Sequence, residues 1–287
     1  MTGLRAATDE VTVEHARQAT NTHYELPPEY FAAFLDRRMK YSSGLYRGQD
    51  LSLDDAQTAK VRFVGDQLQL QAGSDLLDIG CGWGSFTLFA AEELGCNVTA
   101  ITPAASQAEH IRRQAADRGI SDRVRVLVGA FTELTVDGRY DGVSMLGSII
   151  HMPDQRQVLT DARQLLRPGG RLYLSESCFR SEEMYAEFNS RPGTVHVMET
   201  TFGFADMVPL SRLIAAAESA GFSLTGLTDL TDDYYRTIEA WIDNAKRNHE
   251  TVDRYGNSEE LLRYLEVANA GWGFTSKHYA LVAARRR

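Results

Sequence analysis

Cysteine is scarce in this chain, and the scarcity excludes two kinds of protein. Three cysteines, Cys81, Cys96 and Cys178, occur in 287 residues, with no C-x-x-C pair and no metal-ligand spacing. Neither a disulfide framework nor a structural metal site is expected, and reduced thiols fit a cytoplasmic protein. Long apolar runs are missing too. Nothing approaches the roughly 20 residues that span a bilayer, and residues 1–20 lack the apolar core of a signal peptide. The expectation is a soluble chain without stable membrane insertion. Basic charge is in deficit, with 30 Lys and Arg against 39 Asp and Glu and a formal net charge of −9. That balance argues against a surface built to neutralise nucleic-acid phosphates. The one basic run, Arg285, Arg286 and Arg287, reads as a solvated terminus.

What the chain does contain is enough apolar material, 43% of residues, for a sizeable core. Residues 1–70 read as an N-terminal helical cap. Tyr30, Phe31, Phe34, Leu35 and Met39 recur as one helical face, predicting a helix over 28–39. Ser52 with Asp55 three places on resembles a capping box opening a helix to about Leu68. From residue 75 short apolar strands alternate with amphipathic helices. Strands are expected at Leu76–Ile79, Val98–Ile101, Val124–Val128, Gly142–Leu146 and Arg171–Ser175, with helices around 85–94, 104–118 and 154–166. Such alternation predicts right-handed βαβ units in a parallel sheet. The cofactor-binding core is placed at 71–178. Residues 179–208, rich in aromatics but without a clean period, read as a lid insertion. Residues 209–287 return to the core: a helix over 209–220 ending at Gly221, strands at Ser223–Leu230 and Tyr279–Ala283, and extra helices between. The whole is one α/β domain.

The sharpest feature is Leu76-Leu77-Asp78-Ile79-Gly80-Cys81-Gly82-Trp83-Gly84, a strand running into a glycine turn that opens a helix. Glycines there permit positive φ and close approach of a ligand to backbone N–H groups. Such loops also serve nicotinamide and flavin cofactors. Three details favour S-adenosylmethionine. Asp78, two residues before Gly80, would repel a pyrophosphate but suits the methionine ammonium. The third glycine comes too early for the dinucleotide spacing G-x-G-x-x-G. Leu165-Leu166-Arg167-Pro168-Gly169-Gly170-Arg171-Leu172 then turns a helix into a strand, and this combination looks like the class I methyltransferases with their Rossmann-like fold.

Further residues narrow the likeness. His23-Tyr24, Tyr41-Ser42-Ser43-Gly44-Leu45-Tyr46, Ala56-Gln57 with Lys60, and the glycine loop resemble the cyclopropane-fatty-acid and mycolic-acid synthase group of methyltransferases. The resemblance implies a mostly parallel seven-stranded sheet with helices on both faces. It implies that Tyr41 and Ser42, with Asp78, Gly80, Cys81 and Gly82, meet the methionine end of the cofactor. Thr102 and Gln107 would lie near the ribose, and Ala130 and Phe131 would flank the adenine, where an aromatic ring can stack. The group's bicarbonate site uses a Cys, a Glu followed by His, a second His and a Tyr. Here the Cys position is Ser43, the Glu-His pair is Ile150-His151, Arg180 and Ser181 stand near the second His, and Tyr234 fits the Tyr. Cyclopropanation is therefore disfavoured.

The leading expectation is methylation of an alkene or prenyl-type carbon in a lipid or specialised metabolite. Methyl addition there leaves a carbocation that aromatic faces can stabilise. Tyr185, Phe188, Phe202, Phe204, Tyr234, Tyr235, Trp241, Trp272 and Phe274 form that aromatic supply. His151, Glu176 and Glu199 are candidate bases. N- or O-methylation of a small metabolite through His151 is the alternative, and a non-catalytic cofactor-binding protein is a third. Nucleic-acid substrates are disfavoured, since the stretch after strand four reads Ser148-Ile149-Ile150-His151. The N-terminal segment could reach a neighbouring subunit, which leaves a homo-oligomer open.

Overall fold

The alternation read from residue 75 onward folds into one seven-stranded sheet. The structure, a computed structural model, describes residues 26–191 and 205–286. Its strands are β1 (Asp75–Ile79), β2 (Asn97–Thr102), β3 (Val124–Val128), β4 (Tyr140–Leu146), β5 (Leu166–Phe179), β6 (Ser223–Asp229) and β7 (Ser276–Ala284), in the order β3-β2-β1-β4-β5-β7-β6. The first five are parallel, while β7 runs antiparallel to both β5 and β6. Strands covered on both faces read as continuous apolar runs rather than alternating ones. Leu76, Leu77 and Ile79 of β1 are accordingly all buried.

The helices are α1 (Pro28–Ala32), α2 (Leu53–Leu68), α3 (Ser85–Glu92), α4 (Ala105–Asp117), α5 (Gln155–Leu165), α6 (Glu182–Asn189), α7 (Leu210–Ser219), α8 (Thr231–Arg247), α9 (His249–Tyr255) and α10 (Ser258–Ala270). α2, α3 and α4 cover one face, burying Val61, Val64, Phe86 and Ile111 against Tyr173 and Val282. α5 and α7 cover the other, with Val158, Leu159 and Leu213 against Val143 and Leu174. α1, α8, α9 and α10 build a third apolar cluster in which Phe31, Phe34, Trp241 and Leu265 are buried. Trp83 joins it from the glycine loop, its ring centroid 5.2 Å from Phe31, and so ties the N-terminal segment to the loop.

Three expectations are corrected. The helix predicted over 28–39 stops at Ala32. Asp36 accepts the backbone N–H groups of Arg38 and Lys40 at 2.9 and 2.7 Å, and a side chain that caps its own backbone competes with helical bonding. Met39 then takes a φ of +54°. The helical cap is thus irregular chain with three short turns from 33 to 52, and its long helix α2 packs on the sheet. Second, the strand expected at 171–175 runs from Leu166 to Phe179. An irregularity opposite Tyr140 and Gly142 absorbs the Pro-Gly-Gly turn, and β7 carries pairing to Phe179. Third, the segment without a visible period contains α6, capped by Ser181, whose hydroxyl accepts from Met184 N. Residues 192–204, with Glu199, Phe202 and Phe204, lie outside the described residues, as do His23 and Tyr24.

Half of the capping box at Ser52 forms: its hydroxyl accepts from Asp55 N at 3.2 Å, while the Asp55 carboxylate accepts from that hydroxyl at 2.7 Å rather than from the Ser52 backbone N–H. Among the described residues, no helix is long and apolar enough to cross a membrane. No group of three or more His, Cys, Asp or Glu there is placed to hold a metal ion.

Candidate functional site

The chain leaves β1 through Gly80, and both Gly80 N and Cys81 N donate to Ile101 O at 2.9 Å, pinning the turn to β2. Gly80, Gly82 and Gly84 have φ of +72°, +54° and +84°, a region that side chains resist. At Gly80 space is short as well. A Cβ there would stand 2.3 Å from Ser148 Cβ.

Above this turn lies a cleft of about 750 Å³, open mouth included. It sits at the carboxyl ends of the strands where the strand order reverses between β1 and β4, the place open α/β sheets offer to ligands. Gly80 and Gly82 form its floor, and Thr102 and Gln107 form one wall. The Thr102 hydroxyl donates to Gln107 Oε1, fixing that wall. Ala130 and Phe131 follow β3 and also line the cleft, Phe131 being largely buried. Gly147, Ser148 and His151 contribute from the turn after β4.

Four residues expected at the cofactor stand elsewhere than in this lining. Asp78 is buried beneath the turn, its Oδ2 accepting from Thr87 Oγ1 and its Oδ1 from Ser144 Oγ, both at 2.7 Å. Burial pushes its carboxyl up, while those hydroxyls and the nearby Lys40 pull it back. Cys81 is buried and its thiol is pushed well up, first by burial and then by Asp78. Tyr41 packs among Phe31, Phe34 and Trp241 at centroid distances of 6.0, 5.8 and 5.3 Å. Ser42 is buried beside the cleft: a Cβ on Gly147 would lie 3.6 Å from Ser42 Cβ.

The candidate bases separate. His151 lines the cleft. Glu176 is buried on β5, outside the cleft lining, with Oε1 accepting from Ser177 N at 2.9 Å. Burial pushes its carboxyl up to about 7, against the backbone N–H groups of Ser177, Ile150 and Ile149 and the charge of Lys40. Tyr234, on α8, packs on Trp272 at 4.8 Å and on His278 at 4.6 Å. Since His278 is register partner to Ser177, strand alternation puts Tyr234 and Glu176 on opposite faces of the β5–β7 pair.

The expected aromatic supply also divides. Tyr185 and Phe188 pack on Phe179, Trp241 is core, and Tyr235 and Phe274 are exposed. Sequence reasoning passed over Gly129, Gly147 and Ser148. The signal was present, since Gly129 and Gly147 immediately follow the predicted third and fourth strands and take φ of +149° and +75°.

Comparison with known proteins adds the following. The family described as mycolic acid cyclopropane synthetase matches residues 12–278. A probable fatty acid methyltransferase of Pseudomonas putida is 28% identical over 229 residues, 79% of this chain and 58% of the relative. A sphingolipid C9-methyltransferase of Candida albicans is 29% identical over 245 residues, 82% of this chain and 47% of the relative. The chain spans about half the length of these curated relatives. A crystal structure of a mycolic acid cyclopropane synthase complexed with SAH and CTAB superposes with a TM-score of 0.84 at 23% identity, covering 93% of this chain and 98% of that one. The architecture is therefore the Rossmann-like methyltransferase fold.

Proposed function

We propose that this chain, which belongs to the mycolic acid cyclopropane synthetase family, is an S-adenosylmethionine-dependent methyltransferase that methylates an alkene or prenyl-type carbon of a lipid-like small molecule. The cleft suits that cofactor in kind. Its glycine floor leaves no room for a side chain at Gly80, and Phe131 supplies a stacking surface for an adenine. When bound, S-adenosylmethionine supplies an electrophilic methyl carbon. The protein's own part is to orient the acceptor for in-line attack and to exclude water.

The observation that carries the carbon-acceptor reading is Glu176. Addition of a methyl group to an alkene leaves a carbocation, and a proton must then leave the neighbouring carbon. Glu176 offers a buried carboxyl near the carboxyl end of β5, the ligand-binding edge of the sheet, with Oε1 fastened by Ser177 N. With its carboxyl pushed up to about 7, it takes a proton readily from an acidic carbocation near neutral pH. The relatives named for fatty acid and sphingolipid methylation support a lipid-like acceptor. Cyclopropanation finds less support, because the Ser43 hydroxyl donates to Gly44 O and a hydrophobic Ile150 stands where the group carries Glu.

One observation favours a second reading. His151 lines the cleft, within reach of a heteroatom acceptor that needs deprotonation before N- or O-methylation. Methyl-labelled cofactor, incubated with unsaturated acyl, prenyl, amine and phenol acceptors, separates the two. Label on carbon is expected; label confined to nitrogen or oxygen overturns the first reading.

A further inference from the structure

Among the described residues, the two large apolar side chains most open to solvent stand close together in the chain. Val267 on α10 is 63% exposed, and Phe274 in the loop before β7 is 72% exposed. α10 already buries one face, with Leu261, Leu265 and Asn269 in the core. Arg263, Val267 and Ala270 recur at helical spacing on the other face, and all three are exposed. Past the helix the chain keeps turning, Trp272 N donating to Asn269 O and Phe274 N to Gly271 O, both at 3.3 Å. This loop is held firmly. Trp272 packs inward on Tyr234 at 4.8 Å, while Gly273 N donates to Ser276 O and Arg180 N to Thr275 O, both at 2.9 Å. A fixed loop that keeps a phenylalanine in water forgoes the burial that a partner would supply.

Place and charge say which kind of partner. Ser276, the first residue of β7, is register partner to Phe179, the last of β5. The loop therefore stands at the edge where the parallel strands end and the cleft opens, the edge at which a lipid-like acceptor arrives. The chain as a whole carries a net charge of −9, yet the stripe is flanked by arginines. Arg263 lies one helical turn before Val267, and Arg180 is joined to the loop through Thr275 O; both are exposed. Glu266, the acid beside Val267, is met by Lys246 at 3.7 Å, and Asp229 by Lys277 at 3.6 Å. Apolar and basic side chains on one exposed face suit the interface plane of an anionic bilayer.

We propose that Val267, Ala270 and Phe274, flanked by Arg263 and Arg180, form a docking surface for an anionic lipid bilayer, on which the chain rests with its ligand-binding edge toward the lipid. The inference rests on the function proposed above only for the reason the anchor stands at that edge. Phe274 enters the boundary between headgroups and acyl chains, and the two guanidinium groups meet lipid phosphates. The attraction is part apolar and part Coulombic, so salt weakens it without abolishing it.

Co-sedimentation of the full chain, with SAH present, and lipid vesicles tests the surface. Vesicles of equal phosphatidylcholine and phosphatidylglycerol bind the chain about fivefold or more tighter than vesicles of phosphatidylcholine alone. Phe274→Ser weakens that binding by at least about tenfold, and Arg263→Gln weakens it severalfold. Phe274→Trp, which keeps an interfacial ring, retains it. Both positions are exposed, so the variants keep the parent's thermal midpoint and SAH affinity. Failure of the parent to bind SAH counts against the methyltransferase reading, and the vesicle result is read the same either way. Absence of vesicle binding by the parent, or unchanged binding in Phe274→Ser, overturns the proposal. So does a parent dimer, seen by light scattering, that Phe274→Ser dissolves without any vesicle binding, since the stripe then belongs to a second copy.

Discussion

Ser144 and Asp78 are register partners across β4 and β1, and the Ser144 hydroxyl donates to Asp78 Oδ1 at 2.7 Å. Thr87 of α3 takes the second oxygen. The carboxylate thus fastens the strand beneath the glycine turn to β4 and to the helix that follows the turn. Removing either hydroxyl leaves a buried carboxylate oxygen short of a donor. Ser144→Ala or Thr87→Val is expected to cost about 1–3 kcal/mol, read as a lowered denaturation midpoint. Loss of both should exceed the sum of the singles, because they act on one carboxylate.

Gly80→Ala tests the turn. Its Cβ would meet Ser148 at 2.3 Å with a φ of +72°. The expected outcome is about 1–3 kcal/mol of lost stability and SAH binding at least about tenfold weaker. Wild-type affinity in this variant would mean that the cofactor binds away from the turn.

Glu176 sets a pH dependence. Its folded value of about 7 lies above the ordinary 4.5. Stability present below about pH 4.5 is therefore lost progressively as pH rises to about 7, while Glu176→Gln has no such slope. The variant is expected to be more stable than the parent by roughly 3 kcal/mol at pH 8 and no more stable at pH 4. On the carbon-acceptor reading its turnover falls and loses the ionisation near pH 7. His151→Ala, by contrast, would abolish methylation only if a heteroatom is the acceptor.

Lys60 gives the opposite sign. Its folded value of about 7 lies below the ordinary 10.5. Stability present above about pH 10.5 is lost as pH falls through 7. Replacing a buried, unpartnered charge with a similar apolar volume is expected to stabilise, so Lys60→Met should raise stability by about 1–4 kcal/mol at pH 6. A lowered midpoint at that pH would show the ammonium to be paired.

Much of the fold was legible because its signals are local. A strand buried on both faces needs a run such as Leu76-Leu77 whatever lies beyond it, and the turn at 80–84 needs glycine for its backbone alone. Expected and observed strand positions accordingly overlap throughout, from Val124–Val128 to Ser223–Asp229. The 28–39 helix failed for a reason that is local but competing: Asp36 offered the backbone another partner. The site was legible only in part. Gly80, Gly82, Thr102 and Phe131 line the cleft because they follow strand ends that the sequence marks.

The amino-acid order by itself determined the βαβ alternation, the positive-φ turn and the absence of long apolar runs, since each depends on residues close together in the chain. Only the tertiary structure decided that Asp78 is a fastener under the turn, that Glu176 and Tyr234 stand on opposite faces of one strand pair, and that the Lys60 ammonium comes within 5.6 Å of the Tyr173 ring in the interior. Those outcomes depend on strand register and on which face of α2 lies against β5, and burial then converts placement into charge state.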